Sequence, residues 1–517
     1  MKRDFCVGVD IGTTSVKACV AAAGFEPVVQ KHAYPMIKPR PGWAEQDPEL
    51  IFEAVVECVR NAIEQAGAKP QEIAAISLGS ALHSILAIGR DGRPLSNSIT
   101  WADNRSERQA FRLKRSEEGL SIYRRTGMPI HAMSPLAKVL WFREERGEIF
   151  ERATKFVSIK EYVAQKLLGK HTVDYSTASG SGFLNLAKLG WDEEALELAG
   201  IRGDQLGSPE PPTAVARGVR PEYAHAMGIS PDVRTVLGAS DAVLSHLGVG
   251  AFETGQYSVT IGTSSGLRTL APNVLVDGSG GTFCYAFTEG LWLVGCPCST
   301  GGISLQWFNE TFPGKSAADG GKDDSIAASI AAALALPIGA EGLLSLPFIA
   351  GERAPGRNPD ARGVFFGIGL HHRREHFVRA IVEGILLSVY SLYSPLQQMG
   401  IPVKETRISG GFASTPGVPQ AMADVFGHDV LVPRFLEAAS YGSALLAMYG
   451  VGLLSSLTEI PRKVEIGERL PPDLQRHGNY KELSELFENV NGNLDRSFTL
   501  LKDFRERNSD GGNEGAS

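Results

Sequence analysis

Residues 5–21 read F-C-V-G-V-D-I-G-T-T-S-V-K-A-C-V-A, and the middle of this stretch, Val9-Asp10-Ile11-Gly12-Thr13-Thr14-Ser15, decides the fold. Two apolar, β-rich runs flank Ile11-Gly12-Thr13-Thr14-Ser15, which is the pattern of a hairpin. A turn of glycine and hydroxyl residues exposes backbone N–H groups, and glycine lets a phosphate come close to them. Most such turns are only turns. Here, however, Val259-Thr260-Ile261-Gly262-Thr263-Ser264-Ser265 repeats the chemistry about 250 residues later. So long a period is not that of a solenoid. It predicts two related domains, each with a Gly/Thr hairpin, facing one another across a cleft, with the boundary near 247–254.

The rest of the chain is consistent with this. At 517 residues it is too long for one ordinary core. Hydrophobic residues make up 43% and charged residues 21%, the balance of a globular protein. A net charge of −7 argues against a nucleic-acid partner, yet leaves room for a local basic pocket facing an anionic substrate. The six cysteines are sparse, and only Cys296 and Cys298 lie close together. They read as small buried residues in a reduced compartment. Met1–Asp4 is polar and no run of about 18 apolar residues occurs, so neither a signal peptide nor a membrane partner is expected. A cytoplasmic protein is the expectation, and a homodimer is admissible.

Pro48–Ala66 reads as a helix, with Asp47 to cap it, Pro48 at its first position and Gly67 to end it. Ala74–Leu78 and Ser84–Ile88 read as strands, and Glu375–Leu392 as a helix with Phe377, Ile381, Ile385 and Val389 along one stripe. After Pro461 no long periodic run appears until about Tyr480, and the last dozen residues look disordered. The expected division is 1–248, 249–460 and a C-terminal extension over 461–517.

Asp10 stands just before the first turn, where a carboxylate can hold the Mg²⁺ that bridges nucleotide phosphates. A solvated strand-end acid is the alternative. The second copy has Thr260 at that place, so only one hairpin carries the acid. Asp241, in L-G-A-S-D-A-V-L, lies at a loop-to-helix start. It is either a helix N-cap or the base that accepts a proton from an attacking hydroxyl. The Gly301-Gly302 and Gly410-Gly411 pairs could let a nucleotide lie against backbone, or could be tight turns. No P-loop or G-x-G-x-x-G fingerprint occurs in the required context.

Two longer patterns resemble the FGGY carbohydrate kinases. They are Met133-x-Pro135-x-x-Lys138-Val139-x-Trp141-Phe142-x-Glu144-Glu145, and Gly363-x-Phe365-x-Gly367-Ile368 followed after seven residues by His376-Phe377-x-x-Ala380-Ile381-Val382-Glu383-Gly384. The similarity runs from about Phe5 to Gly452. S-A-L-H-S at 80–84, T-W-A-D-N-R-S at 100–106, R-T-G-M-P-I-H at 125–131 and A-G-E-R-A-P at 350–355 are similar to the family's gluconate kinases. Xylulose kinases, which carry Met-His where this chain has Leu82-His83, remain the alternative.

The resemblance implies an α/β fold of two actin-like (ribonuclease H-like) domains of the sugar kinase, heat-shock chaperone and actin superfamily, each with a mixed five-stranded sheet, and a central cleft. It implies ATP and Mg²⁺ as cofactors and transfer of phosphate to D-gluconate, giving 6-phospho-D-gluconate. Asp241 would be the base and, with Asp10, would face the metal. Gly12, Thr13, Thr14 and Lys17 would hold phosphates, and Gly262 and Thr263 would form the second phosphate hairpin. Gly302, Gly411 and Ser414 would line the nucleotide. His83, Trp101, Asp103 and Arg105 would touch the sugar. A non-catalytic nucleotide switch is the competing class.

One departure is Ser414-Thr415-Pro416-Gly417-Val418-Pro419, where two prolines remove donors and delay a helix. A sugar acid also needs a cation for its carboxylate. Arg105 offers a bidentate fork unless Asp103 locks it, and His83, His131 and Lys160 are further candidates. Glu352-Arg353 reads as a structural ion pair, and His371-His372 as a solvated turn.

Overall fold

The computed structural model describes residues 4–313, 326–352, 358 and 360–509. The described chain divides into two compact units, each assembled from separated segments. The first holds the chain up to Thr254 together with Thr269–Val294 and Glu437–Glu465, and the second holds Gly255–Arg268, Gly295–Leu436 and the chain from Ile466.

In the first unit β1 (Phe5–Ile11), β2 (Ser15–Ala21) and β3 (Val28–Ala33) form an antiparallel meander. β4 (Ile73–Ser80) lies parallel to β1 on its other side. β5 (Val215–Arg217) and β6 (Arg234–Val236) extend the sheet in the order β5-β6-β4-β1-β2-β3. The sheet therefore has six strands, not the expected five. The added edge strand is three residues long, too short to leave a period in the sequence. The 84–88 strand is also shorter than expected and spans Leu86–Ile88.

The Pro48–Ala66 helix has the predicted ends. Asp47 accepts from the Glu49 and Leu50 amides, and Gly67 closes it in the left-handed region. Its Ile51, Val55, Val59 and Ile63 pack into the core against β1 and β2.

Two further helices, Asp241–Gly248 and Ala438–Gly450, pack backbone against backbone. A Cβ on Gly442 would overlap the Leu244 carbonyl oxygen, and one on Gly248 would overlap that of Ala438. Gly8 of β1 lies equally close to the Ser440 carbonyl. Three positions without side chains thus let both helices and the central strand meet.

In the second unit β7 (Gln256–Ile261) pairs antiparallel with β8 (Ser265–Ala271) and parallel with β9 (Glu405–Ser409). β10 (Val430–Pro433) runs parallel to β9, and β11 (Ile466–Leu470) antiparallel to β10. β7 stands to β8 and β9 as β1 stands to β2 and β4, so the sequence echo is a structural repeat. The Arg374–Ser391 helix is buried through Ala380–Val389. Arg374–Gln398 has the length and hydropathy of a membrane span, but 78% of its apolar window is buried inside the protein, as in a core helix.

The C-terminal extension departs from expectation. A 36-residue helix, Leu474–Ser509, begins before Tyr480 and takes in the start of the tail expected to be disordered. Its polar composition hides it in the sequence, yet Tyr480, Phe487 and Phe498 are buried. The Tyr480 hydroxyl accepts a hydrogen bond from the buried Arg379, which is paired with Glu383. Residues 510–517 lie outside the described residues.

Gly442→Ala should lower stability by about 3 kcal/mol through overpacking of backbone, where rigid elements cannot yield. Denaturant unfolding measures this, and a loss under about 0.5 kcal/mol would show that the helices move apart at little cost.

Candidate active site

The first hairpin is held from several sides. The Gly12 amide donates to the Ser15 carbonyl at 3.0 Å, closing the turn. The Tyr34 hydroxyl donates to the Gly12 carbonyl, and the Gln46 amide to that of Thr13 at 2.6 Å. Thr14 is exposed at the tip, with Gly12 and Thr13 half-buried. The turn is thus rigid while its outer face stays open.

Asp10 is the next-to-last residue of β1, beside this turn. Its Oδ1 is sealed from solvent and has no hydrogen-bond partner among the described residues. Its pKa is pushed up to about 7, chiefly by desolvation and then by the Asp241 and Glu437 charges, with Lys17 opposing them. Lys17 pairs with Glu437 at 2.5 Å. Three acids and one cation are therefore gathered beside the hairpin, and one oxygen of Asp10 has no hydrogen-bond donor among the described residues.

Asp241 is not the N-cap of its helix. Ser240 is, accepting from the Val243 amide, and Asp241 is the first helical residue. Its Oδ1 accepts from the Ala242 amide at 2.8 Å. The helix start is anchored from behind: the Ser240 amide donates to Ser176 Oγ at 2.8 Å, and Ser176 Oγ donates to Asp174 Oδ1 at 2.5 Å. Asp174 Oδ2 accepts from Lys160 Nζ at 2.6 Å, both side chains being buried. Lys160 is therefore taken up in structure and is not a free cation for a substrate carboxylate.

The T-W-A-D-N-R-S segment divides in two. Trp101 Nε1 donates to Thr13 Oγ1 at 2.9 Å, tying a half-buried ring to the phosphate hairpin. Asp103 and Arg105 behave otherwise. Asp103 is fully buried and accepts at Oδ1 from the Arg105 amide and Nε, and at Oδ2 from the Ala44 amide and Arg105 Nη2. Arg105 Nη2 also reaches Glu45 at 2.6 Å, and the guanidinium stacks 3.7 Å from the Trp43 ring centre. With Asp103 saturated and Arg105 Nε and Nη2 on carboxylates, the pair locks the loop that presents Trp101.

His83 is half-buried and stands at φ +67°, a backbone region costly for any residue but glycine. Its Nδ1 bonds the Gly180 carbonyl at 2.7 Å, and its own carbonyl accepts from Lys138 Nζ. His131 Nδ1 accepts from the Met133 amide. Lys138 drew no role in the sequence beyond a fixed place in the first signature, because nothing local reveals where a buried ammonium points.

The second unit brings Gly262, Thr263, Gly302 and Gly411 together. The Gly302 amide donates to the Gly262 carbonyl at 2.7 Å, and Ile303 to that of Thr263 at 3.2 Å, so the Gly302–Thr311 helix starts on the second hairpin. Gly410, at φ +86°, approaches the Ile261 carbonyl too closely for a side chain. Exposed Ser414 donates to the Gly411 carbonyl at 3.0 Å within a short 3₁₀ turn. The next helix begins at Val418 with Pro419 in its first turn, where an amide needs no partner. The prolines therefore delay the helix without breaking it.

Glu352 is buried and accepts from the Ser299 amide and the Thr300 hydroxyl, while Arg353 lies outside the described residues. His371 and His372 are joined by His376 and Glu341, with His376 Nε2 3.5 Å from Glu341 Oε2. No group of acids, histidines or cysteines fit to hold a metal on its own occurs among the described residues. All six cysteines are buried and none is in a disulfide.

Two hydroxyl-rich hairpins on related folds, one with adjacent acids, are the arrangement expected where nucleotide phosphates are held. Residues 5–248 match the N-terminal domain of the FGGY family of carbohydrate kinases and residues 257–451 its C-terminal domain. The chain belongs to that family: it is an ATP-dependent enzyme that transfers phosphate to an alcohol group of a carbohydrate. It is 40% identical to the gluconokinase of Bacillus subtilis (strain 168) over 97% of this chain and 98% of that one. Its fold matches the crystal structure of gluconate kinase from Lactobacillus acidophilus with a TM-score of 0.90 and 32% identity, over 96% of this chain and 100% of that one. Ligand-bound xylulose kinase from the same organism gives a TM-score of 0.90 and 33% identity, over 96% and 99%. Family membership sets aside the nucleotide-switch reading.

The Asp10 carboxyl stays protonated to about pH 7 when folded but ionises near 3.8 when unfolded. The unfolded chain loses its proton first, so this group's contribution to stability declines as pH rises between those values. Asp10→Asn should therefore melt higher than the native chain at pH 8, and show a smaller advantage at pH 5. Thermal melts at both pH values without ligand check this; a variant that melts lower at pH 8 would mean that Asp10 is satisfied in the folded protein.

Proposed function

We propose that the chain transfers the γ-phosphoryl group of ATP to D-gluconate, giving 6-phospho-D-gluconate and ADP. The observation that carries the mechanism is the pairing of Asp241, at the first position of its helix, with Asp10, whose sealed Oδ1 lacks a partner. The substrate rests on the 40% identity to a gluconokinase.

In this reading Asp241 accepts the proton of the attacking hydroxyl, and the Ser240–Ser176–Asp174 chain fixes its backbone. Asp10 and Asp241 fit a Mg²⁺ ion, since a sealed carboxylate oxygen without a donor, in an acid held partly protonated, is what a cation would satisfy. Bound there, the ion neutralises phosphate charge. Mg²⁺ takes few protein ligands and completes its shell with water and phosphate oxygens, so two acids suffice. Gly12, Thr13, Thr14 and Lys17 hold phosphate oxygens; Lys17 must then exchange Glu437 for the nucleotide. Gly262, Thr263, Gly302, Gly411 and Ser414 form the nucleotide surface of the second unit. His83 and Trp101 contact the sugar, and Asp103 with Arg105 holds the Trp101 loop. Buried cysteines outside any disulfide suit a cytoplasmic enzyme.

Xylulose is the second reading, favoured by the equal TM-score of a xylulose kinase. ADP release with Mg·ATP against D-gluconate, D-xylulose, L-ribulose, glycerol and no sugar separates the two. Gluconate should give by far the highest kcat/KM; a higher value for D-xylulose would overturn the substrate assignment and leave the mechanism standing. Asp241→Asn should lower kcat by about a thousandfold with nucleotide affinity unchanged, and full turnover in that variant would remove Asp241 from the mechanism.

A further inference from the structure

We infer that Lys138 is a positioning residue: its buried ammonium fixes the two segments that carry His83 and Trp101, and through them the affinity for the acceptor sugar. This rests on the reading that those two residues contact the sugar.

Lys138 lies in the Pro135–Glu145 helix and is fully buried. Its Nζ donates to the His83 carbonyl at 2.7 Å, the Thr100 carbonyl at 2.7 Å and the Met133 carbonyl at 2.8 Å. An ammonium has three N–H donors, and all three are matched. The acceptors come from three separate segments. His83 is one of the sugar candidates, Thr100 directly precedes the other, and Met133 follows His131 in the turn leading into the Lys138 helix. Among the described residues no carboxylate bonds the ammonium; burial lowers its pKa to about 7, with the Asp103 charge opposing and the Arg105 charge adding to the shift.

The arrangement is poor as a source of stability and well suited to alignment. Burying a cation against neutral carbonyls costs more than burying a hydrocarbon of the same shape. Packing alone would be met by Met or Leu. What a hydrocarbon cannot do is hold three carbonyls at one point. His83 needs such a hold, because its backbone stands at φ +67° and would relax if released. Trp101 is fixed at the other end of its side chain by Thr13, so a shift of Thr100 would swing the ring about that bond.

The test compares Lys138→Met, His83→Ala and the double variant, with KM and kcat measured for sugar and ATP separately and thermal melts alongside. Lys138→Met should raise the sugar KM by about tenfold or more while the ATP KM stays within about twofold. The double variant should raise it by clearly less than the product of the two single effects, because Lys138 acts partly through His83. A sugar KM within about twofold of the native value in Lys138→Met, or equal rises for sugar and ATP, would overturn the proposal. An unchanged sugar KM in His83→Ala would instead overturn the placing of the sugar. If Lys138→Met does not fold, Lys138→Gln, which keeps two donors, is read by the same criteria.

Discussion

The first unit depends on a close approach of backbones. Gly8, Gly248 and Gly442 let a central strand and two helices meet where any side chain would intrude on a carbonyl oxygen. One consequence is chemical. β1 carries Asp10 next to its end, and the helix packed at this junction begins with Asp241, so the approach that closes the core also brings two acids near enough to interact. Wider spacing would relieve their repulsion and remove the site.

That repulsion runs through the electrostatics of the unit. Asp10 is desolvated beside another acid, a destabilising placement that persists only where the surroundings impose it. The surroundings here are rigid. Tyr34, Gln46 and Trp101 hold the hairpin, and the chain from Ser240 through Ser176 and Asp174 to Lys160 holds the other acid. A flexible hairpin would let the two carboxylates separate. A rigid one keeps the two carboxylates together, a placement suited to positive charge.

The fold was legible where its signals are local or repeated. The Pro48–Ala66 helix carried its caps in Asp47 and Gly67, and the two hairpins repeated one chemistry at two places. The C-terminal helix was not legible, because its apolar face is thin and its buried residues, Tyr480, Phe487 and Phe498, are widely spaced among polar ones. The edge strand Val215–Arg217 was too short to show a period. For the site, residue type identified Asp10 and Asp241 as candidates, but not how the cations were committed. The lock of Asp103 on Arg105, two residues away, was one of the alternatives the sequence offered, whereas the hold of Glu45 on Arg105 and of Asp174 on Lys160 left no local signal.

Those commitments change the view of how an acid substrate can be recognised. A buried cation already paired with a carboxylate has little left for a second anion, since the new contact must repay the loss of the old one. Arg105 is held by Asp103 and Glu45, Lys160 by Asp174, and Lys138 by three carbonyls. Each cation fixes a loop that presents a candidate residue: Arg105 for Trp101, Lys138 for His83 and Trp101, and Lys160, through Asp174 and Ser176, for Asp241. Selectivity among sugars then follows from where these loops are held, more than from a single charge aimed at the ligand.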